Sequence, residues 1–199
     1  MIIKPKIIVD SPWGTGSTLL YNMVVGATKP DQRYQFSKLL TKYELTELVY
    51  KSHVLAPDAW RTAYPLSSGY DFYFIAGTRK FKCGHVPPRV RRVLNMQDER
   101  LLILDYKDFA TVNTDRACQV VYEQLKLHLP AQLFHSRVDA INVSSMIARV
   151  HLMNARYEQI KDEPWDFVDP VFGIHGGHRT SNNRVTWSDR GKKCKKCKK

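Results

Sequence analysis

An apolar run that ends on an acid and passes at once into a glycine turn and a helix opening constrains this chain more than any other part of it. Lys6-Ile7-Ile8-Val9-Asp10 reads as a strand, and Ser11-Pro12-Trp13-Gly14-Thr15-Gly16-Ser17-Thr18-Leu19-Leu20 as a tight turn followed by the first turn of a helix. Backbone N–H groups in such a turn converge on one concavity, and the helix adds its unpaired amides and the positive end of its dipole. That order builds a phosphate site, with the hydroxyls of Ser17 and Thr18 as further donors. It is not the common nucleotide-hydrolase loop G-x-x-x-x-G-K-[ST], because Gly16 stands where that loop requires lysine. Strand, turn and helix units of this kind also occur where nothing binds, so the loop alone leaves both readings open.

The rest of the chain repeats the alternation. Apolar runs at residues 47–54, 70–77 and 100–106 predict three further strands. Between and after them, helices are expected over residues 17–25, ending at Gly26, and over residues 31–42, with Asp31 as N-cap and Phe36, Leu39 and Leu40 near helical spacing. A short helix or turn is expected over residues 57–70, and a short basic helix after Pro87-Pro88. Ala117, Val121, Leu125 and Leu129 form one stripe of a helix over residues 114–129, and Met146, Val150, Met153, Tyr157 and Ile160 one of a helix over residues 138–160. Strands alternating with helices in this way predict an α/β fold with a mostly parallel central sheet flanked by helices on both faces. In such sheets ligands sit at the carboxyl ends of the strands.

Length and composition bound the function. A chain of 199 residues, 43% apolar, suits one domain, taken as residues 1–189. No apolar run approaches a membrane span, and Met1-Ile2-Ile3 is broken by Lys4 and Pro5, so no anchor or signal peptide and a cytoplasmic location are expected. Cys83, Cys118, Cys194 and Cys197 do not form a disulfide framework. Cys83 and His85 with Cys194 and Cys197 are ligands of zinc type, but two lie in a lysine run and no metal is expected. Of the net charge of +12, seven positive charges lie in residues 190–199, which leaves +5 for the rest. That basic end reads as a solvated tail, with a weak salt-sensitive polyanion contact as the functional alternative.

If the strands are parallel, their carboxyl ends gather Gly14 to Thr18, Lys51-Ser52-His53, Thr78-Arg79-Lys80 and Tyr106-Lys107-Asp108. The set is cationic and rich in hydrogen-bond donors, suited to a ligand with several phosphate or sulfate groups. These residues resemble the P-loop sulfotransferases that use 3′-phosphoadenosine-5′-phosphosulfate. Gly14-Thr15-Gly16-Ser17-Thr18-Leu19-Leu20 is similar to their phosphosulfate loop, Lys51-Ser52-His53 to their K-[ST]-H element, and Tyr106-Lys107-Asp108-Phe109 to their Y-E-D-L, over roughly residues 6–130. In two places the chain departs from the pattern. Gly14 stands where the family's loop carries a basic residue, and Pro87 where its 3′-phosphate serine is expected.

The resemblance implies a three-layer P-loop-type domain and transfer of a sulfuryl group to a hydroxyl or amine of a small-molecule or glycan acceptor. It implies that Gly14, Thr15, Gly16, Ser17, Thr18 and Leu19 cradle the phosphosulfate, that His53 is the general base, that Lys51 neutralises the transferring group and that Arg79 holds the 3′-phosphate. His175-Gly176-Gly177-His178-Arg179 is the candidate nucleotide lid, with His178 and Arg179 as ligands. Trp60, Tyr64 and Phe134 are the aromatics expected at the acceptor pocket. The alternatives are a P-loop nucleotide or metabolite kinase, and a basic nucleic-acid-binding protein working through the tail and Arg89, Arg91 and Arg92.

Overall fold

A computed structural model describes residues 3–12, 15–37, 44–65, 68–79, 86, 88–164 and 166–176. Four strands, β1 (Lys4–Asp10), β2 (Val49–Ser52), β3 (Tyr70–Thr78) and β4 (Leu101–Asp105), form one sheet in the order β2-β1-β3-β4. All three pairings are parallel, with Ile7 opposite both Val49 and Tyr73, and Phe74 opposite Leu101. The helices are α1 (Ser17–Thr28), α2 (Pro57–Ala63), α3 (Pro88–Leu94), α4 (Tyr106–Phe109), α5 (Thr114–His128) and α6 (Asp139–Gln159). The expected α/β architecture is therefore present, and every strand ends within two residues of its expected position.

Alternation along the central strand sorts the two faces. Ile7 and Val9 point into the larger core cluster with Leu20, Val24, Val121, Leu125, Met146 and Val150, so α1, α5 and α6 cover that face. Ile8 points the other way, into a smaller aromatic cluster of Tyr50, Trp60, Tyr64, Tyr70, Phe72 and Phe74 beneath α2. Both expected helical stripes are buried, from Ala117 to Leu129 and from Met146 to Ile160, with Tyr157 only partly so.

Two expectations are corrected. Helix α1 runs through Gly26 to Thr28, because the glycine serves a close crossing rather than a stop. A Cβ at Gly26 would lie 2.7 Å from the Met146 Cα on α6. Gly26→Val is accordingly expected to cost about 2–3 kcal/mol, read from the urea midpoint, because backbone on both sides of the contact would have to separate.

The second correction concerns residues 31–37, which are not helical; residues 38–42 lie outside the described residues. Residues 32–37 instead line the open edge of β2. The Gln32 amide donates to the Val49 carbonyl at 2.7 Å and accepts from the Val49 N–H at 3.1 Å, imitating a strand peptide. Lys51 N–H then donates to the Gln35 carbonyl and Ser37 N–H to the Lys51 carbonyl, at 2.9 and 3.0 Å. This covers an edge that would otherwise present unpaired backbone groups.

Candidate functional site

The loops after all four strands meet at the N-terminus of α1. Gly16, the N-cap, has φ 75°, a left-handed conformation that favours glycine, and a Cβ there would meet the Tyr106 and Phe109 rings of α4 at 2.8 and 2.9 Å. Among the described residues no side chain caps this helix end. The first-turn amides of Ser17, Thr18 and Leu19 are therefore offered toward the carboxyl edge of the sheet. Thr15 faces inward, its hydroxyl donating to the Pro12 carbonyl at 2.7 Å, so its side chain shapes the turn. Leu19 leans on the main core and has only its amide to offer a ligand. Gly77 lets β3 pass the turn, where a Cβ would lie 2.9 Å from the Thr15 carbonyl oxygen.

Lys51 reaches this helix end from β2, and its ammonium donates to Thr18 Oγ1 at 2.7 Å. It is 3% exposed, lies 5.6 Å from the Tyr34 ring centroid and has no carboxylate partner among the described residues. Burial pulls its pKa down to about 8. A buried ammonium with one hydrogen bond and no counter-ion is a costly arrangement, and an anion at the start of α1 would relieve it.

His53 stands two residues further on, just past the end of β2. Its Nδ1 contacts the Ser11 carbonyl at 2.5 Å, which fixes the neutral tautomer with the proton on Nδ1 and the lone pair on Nε2. Burial is the main cause that holds its pKa down at about 4; the Ser11 hydrogen bond opposes it, and the charges of Lys51, Arg89 and His175 push the same way as burial. At neutral pH the ring is uncharged and oriented, but a pKa of about 4 lies well below the near-neutral value expected of a general base and makes the ring a weaker proton acceptor than an ordinary histidine. Arg79, the first residue after β3, lies over the Tyr106 ring at 4.7 Å.

A late segment closes the side of the site by long-range contacts that local sequence does not announce. Asp169 accepts from the N–H groups of Val171 and Phe172 at 2.9 and 2.8 Å and pairs with Arg156 at 2.7 Å. The resulting turn presses Gly173 against Tyr34, the ring beside Lys51, where a Cβ would come within 2.1 Å. Arg149, 5% exposed, ties the turn down. Its guanidinium donates to Asn22 Oδ1, the carbonyls of Pro30 and Gln32, and the carbonyl of Val171. This path brings His175 within electrostatic reach of His53.

The site thus unites Thr15, Gly16, Ser17, Thr18, Leu19, Lys51 and His53, with Arg79 on the adjoining loop. Gly14, Lys80, Pro87, His178 and Arg179 lie outside the described residues, as do Cys83, His85, Cys194 and Cys197; among the described residues no cluster could hold a metal. Of the aromatics expected at an acceptor pocket, two are core residues and the third is partly buried against the main core. Trp60 and Tyr64 are 0% and 7% exposed in the cluster beneath α2, and Phe134 packs on Tyr122 at 5.4 Å. The aromatic beside His53 is Phe36, 5.8 Å from its ring and 38% exposed. Among the described residues no helix is long and apolar enough to cross a membrane. No protein-family model matches the sequence, and no curated protein matches it.

Proposed function

We propose that this chain binds 3′-phosphoadenosine-5′-phosphosulfate at the N-terminus of α1 and transfers its sulfuryl group to a hydroxyl or amine of a small-molecule or glycan acceptor. The observation that carries the reading is the Lys51–Thr18 contact at 2.7 Å. It joins the glycine turn to the strand-end K-S-H element around a buried cation that has no counter-ion among the described residues.

In this reading the amides of Gly16 to Leu19 and the Ser17 and Thr18 hydroxyls hold the 5′-phosphosulfate, and Lys51 supplies the cation that Gly14 does not. The acceptor oxygen or nitrogen forms the new bond to sulfur as the sulfur–oxygen bond to the 5′-phosphate breaks. The electron pair leaves on that phosphate oxygen, toward Lys51 and the helix dipole. The acceptor proton passes to His53 Nε2, whose ring the Ser11 carbonyl keeps in place. Arg79, with Arg179 in the late basic segment, would hold the 3′-phosphate, and the basic tail of residues 190–199 would add a weak polyanion contact.

The test is incubation with donor radiolabelled in the sulfuryl group and, in parallel, ATP labelled in the γ-phosphate, each with phenolic, amine and glycan acceptors. Label transferred from the sulfuryl donor alone is the expected result. Transfer from ATP alone would replace this reading with the kinase one.

A further inference from the structure

Asp10 is a carboxyl group where apolar residues are the rule. It ends β1, is 4% exposed, and follows Ile7, Ile8 and Val9, each fully buried. Its Oδ2 accepts from the Leu55 N–H at 2.9 Å, across from β1 to the loop that joins β2 to α2. Neither its Oδ1 nor the buried indole N–H of Trp60 makes a hydrogen bond of full geometry among the described residues, yet the two lie close enough for the indole to help stabilise the carboxylate. Burial pushes the Asp10 carboxyl up from its ordinary pKa, against the opposing effects of the Leu55 N–H, the Ser52 hydroxyl, the Ala56 N–H and the Trp60 indole. A buried acid costs stability when taken by itself, so its contribution has to lie in what it holds.

What it holds is strained. Leu55 has φ 55°, the one positive value at a non-glycine residue among the described residues, and its side chain is buried with Ala76 and Val93. A left-handed leucine is strained and persists only where its surroundings impose it. Two residues before it is His53, whose Nδ1 sits on the carbonyl of Ser11, the neighbour of Asp10. Ser11 N–H in turn donates to the Ser52 carbonyl at 3.3 Å, and the Ser11 hydroxyl accepts from the Gly77 N–H at 2.8 Å. Asp10, the last residue of β1, and Ser11 just after it therefore grip residues 52–55 at three points.

We propose that Asp10 is the positioning residue for His53. By holding the Leu55 amide in its left-handed conformation, it fixes the peptide between them so that the imidazole docks on the Ser11 carbonyl as a single tautomer. The proposal deepens the assignment of His53 as base and rests on it for its kinetic consequence. Its structural part concerns His53 alone and is read without any substrate.

The test compares Asp10→Ala, Asp10→Asn and Asp10→Thr by nitrogen-15 NMR of the His53 ring and by sulfuryl-transfer kinetics. Asn keeps an acceptor oxygen for Leu55; Thr suits a strand and fills much of the volume, but its hydroxyl ends short of the Oδ2 position. The wild type and Asp10→Asn are expected to show the Nδ1–H tautomer down to a pH near 4. Asp10→Ala, or Asp10→Thr should Ala not fold, is expected to average the two ring nitrogens and to titrate nearer the ordinary histidine range. Its kcat is expected to fall about 100-fold, with the KM for the donor unchanged. A folded Ala or Thr variant that keeps the wild-type His53 spectrum would overturn the proposal, as would an Asn variant as perturbed as Ala. Failure of the sulfotransferase reading is distinguishable, because it removes the kinetic arm and leaves the spectra.

Discussion

Replacing His53 with alanine is expected to lower kcat for sulfuryl transfer by roughly 100- to 10,000-fold, the usual contribution of a positioned general base, while the affinity for 3′-phosphoadenosine-5′-phosphate stays unchanged. The separation follows from the geometry. His53 hangs on the Ser11 carbonyl at the end of β1, whereas the amides and the ammonium that would meet phosphate belong to α1 and Lys51. Steady-state kinetics with a labelled donor and calorimetry with the bisphosphate product separate the two quantities. Unchanged turnover would remove His53 as the base.

Arg149→Met is expected to be the most damaging change to stability away from the site, at about 3–5 kcal/mol, against a total of about 5–15 kcal/mol for a typical domain. The guanidinium satisfies an amide oxygen on α1 and three backbone carbonyls in two separate segments, and its removal would take this donor from four acceptors, two in buried and two in partly buried hydrogen bonds. Lysine at this position would recover little, because a point ammonium cannot span acceptors arranged around a planar fork. The urea midpoint gives the loss. The Tyr34–Gly173 contact depends on the same network, so the variant is also expected to loosen the wall beside Lys51 before the chain unfolds globally.

These two residues mark the limit of what local sequence carried. The strands were legible because each is a short apolar run bounded by turn residues, and the glycine turn was legible because its chemistry is contained in a few consecutive positions. His53 and Lys51 could be placed beside that turn once the sheet was taken as parallel, since parallel strands put their exits on one edge. Residues 31–37 misled because Phe36, Leu39 and Leu40 mimic helical spacing, while the deciding interaction is the Gln32 amide paired with Val49, seventeen positions along the chain. Gly26 read as a stop because its function is to admit Met146, far away in sequence. Trp60 and Tyr64 read as pocket residues because nothing local shows that the second face of the sheet needs an aromatic core. Asp10 did leave a signal, an acid closing an otherwise apolar strand, and its partner Leu55 lies forty-five positions on.

Calorimetric titration with 3′-phosphoadenosine-5′-phosphate and, separately, with ATP tests the central claim most directly. The wild type and Lys51→Met should be compared at neutral pH and again well above pH 8. Burial holds the Lys51 pKa near 8, and a bound phosphate would pull it back up, so binding is expected to take up a proton and to weaken as pH rises through that value. The expected result is tighter binding of the bisphosphate than of ATP, with both the affinity and its pH dependence largely lost in Lys51→Met. Binding of neither nucleotide, or bisphosphate binding indifferent to Lys51, would contradict the assignment of the α1 terminus as the phosphosulfate site.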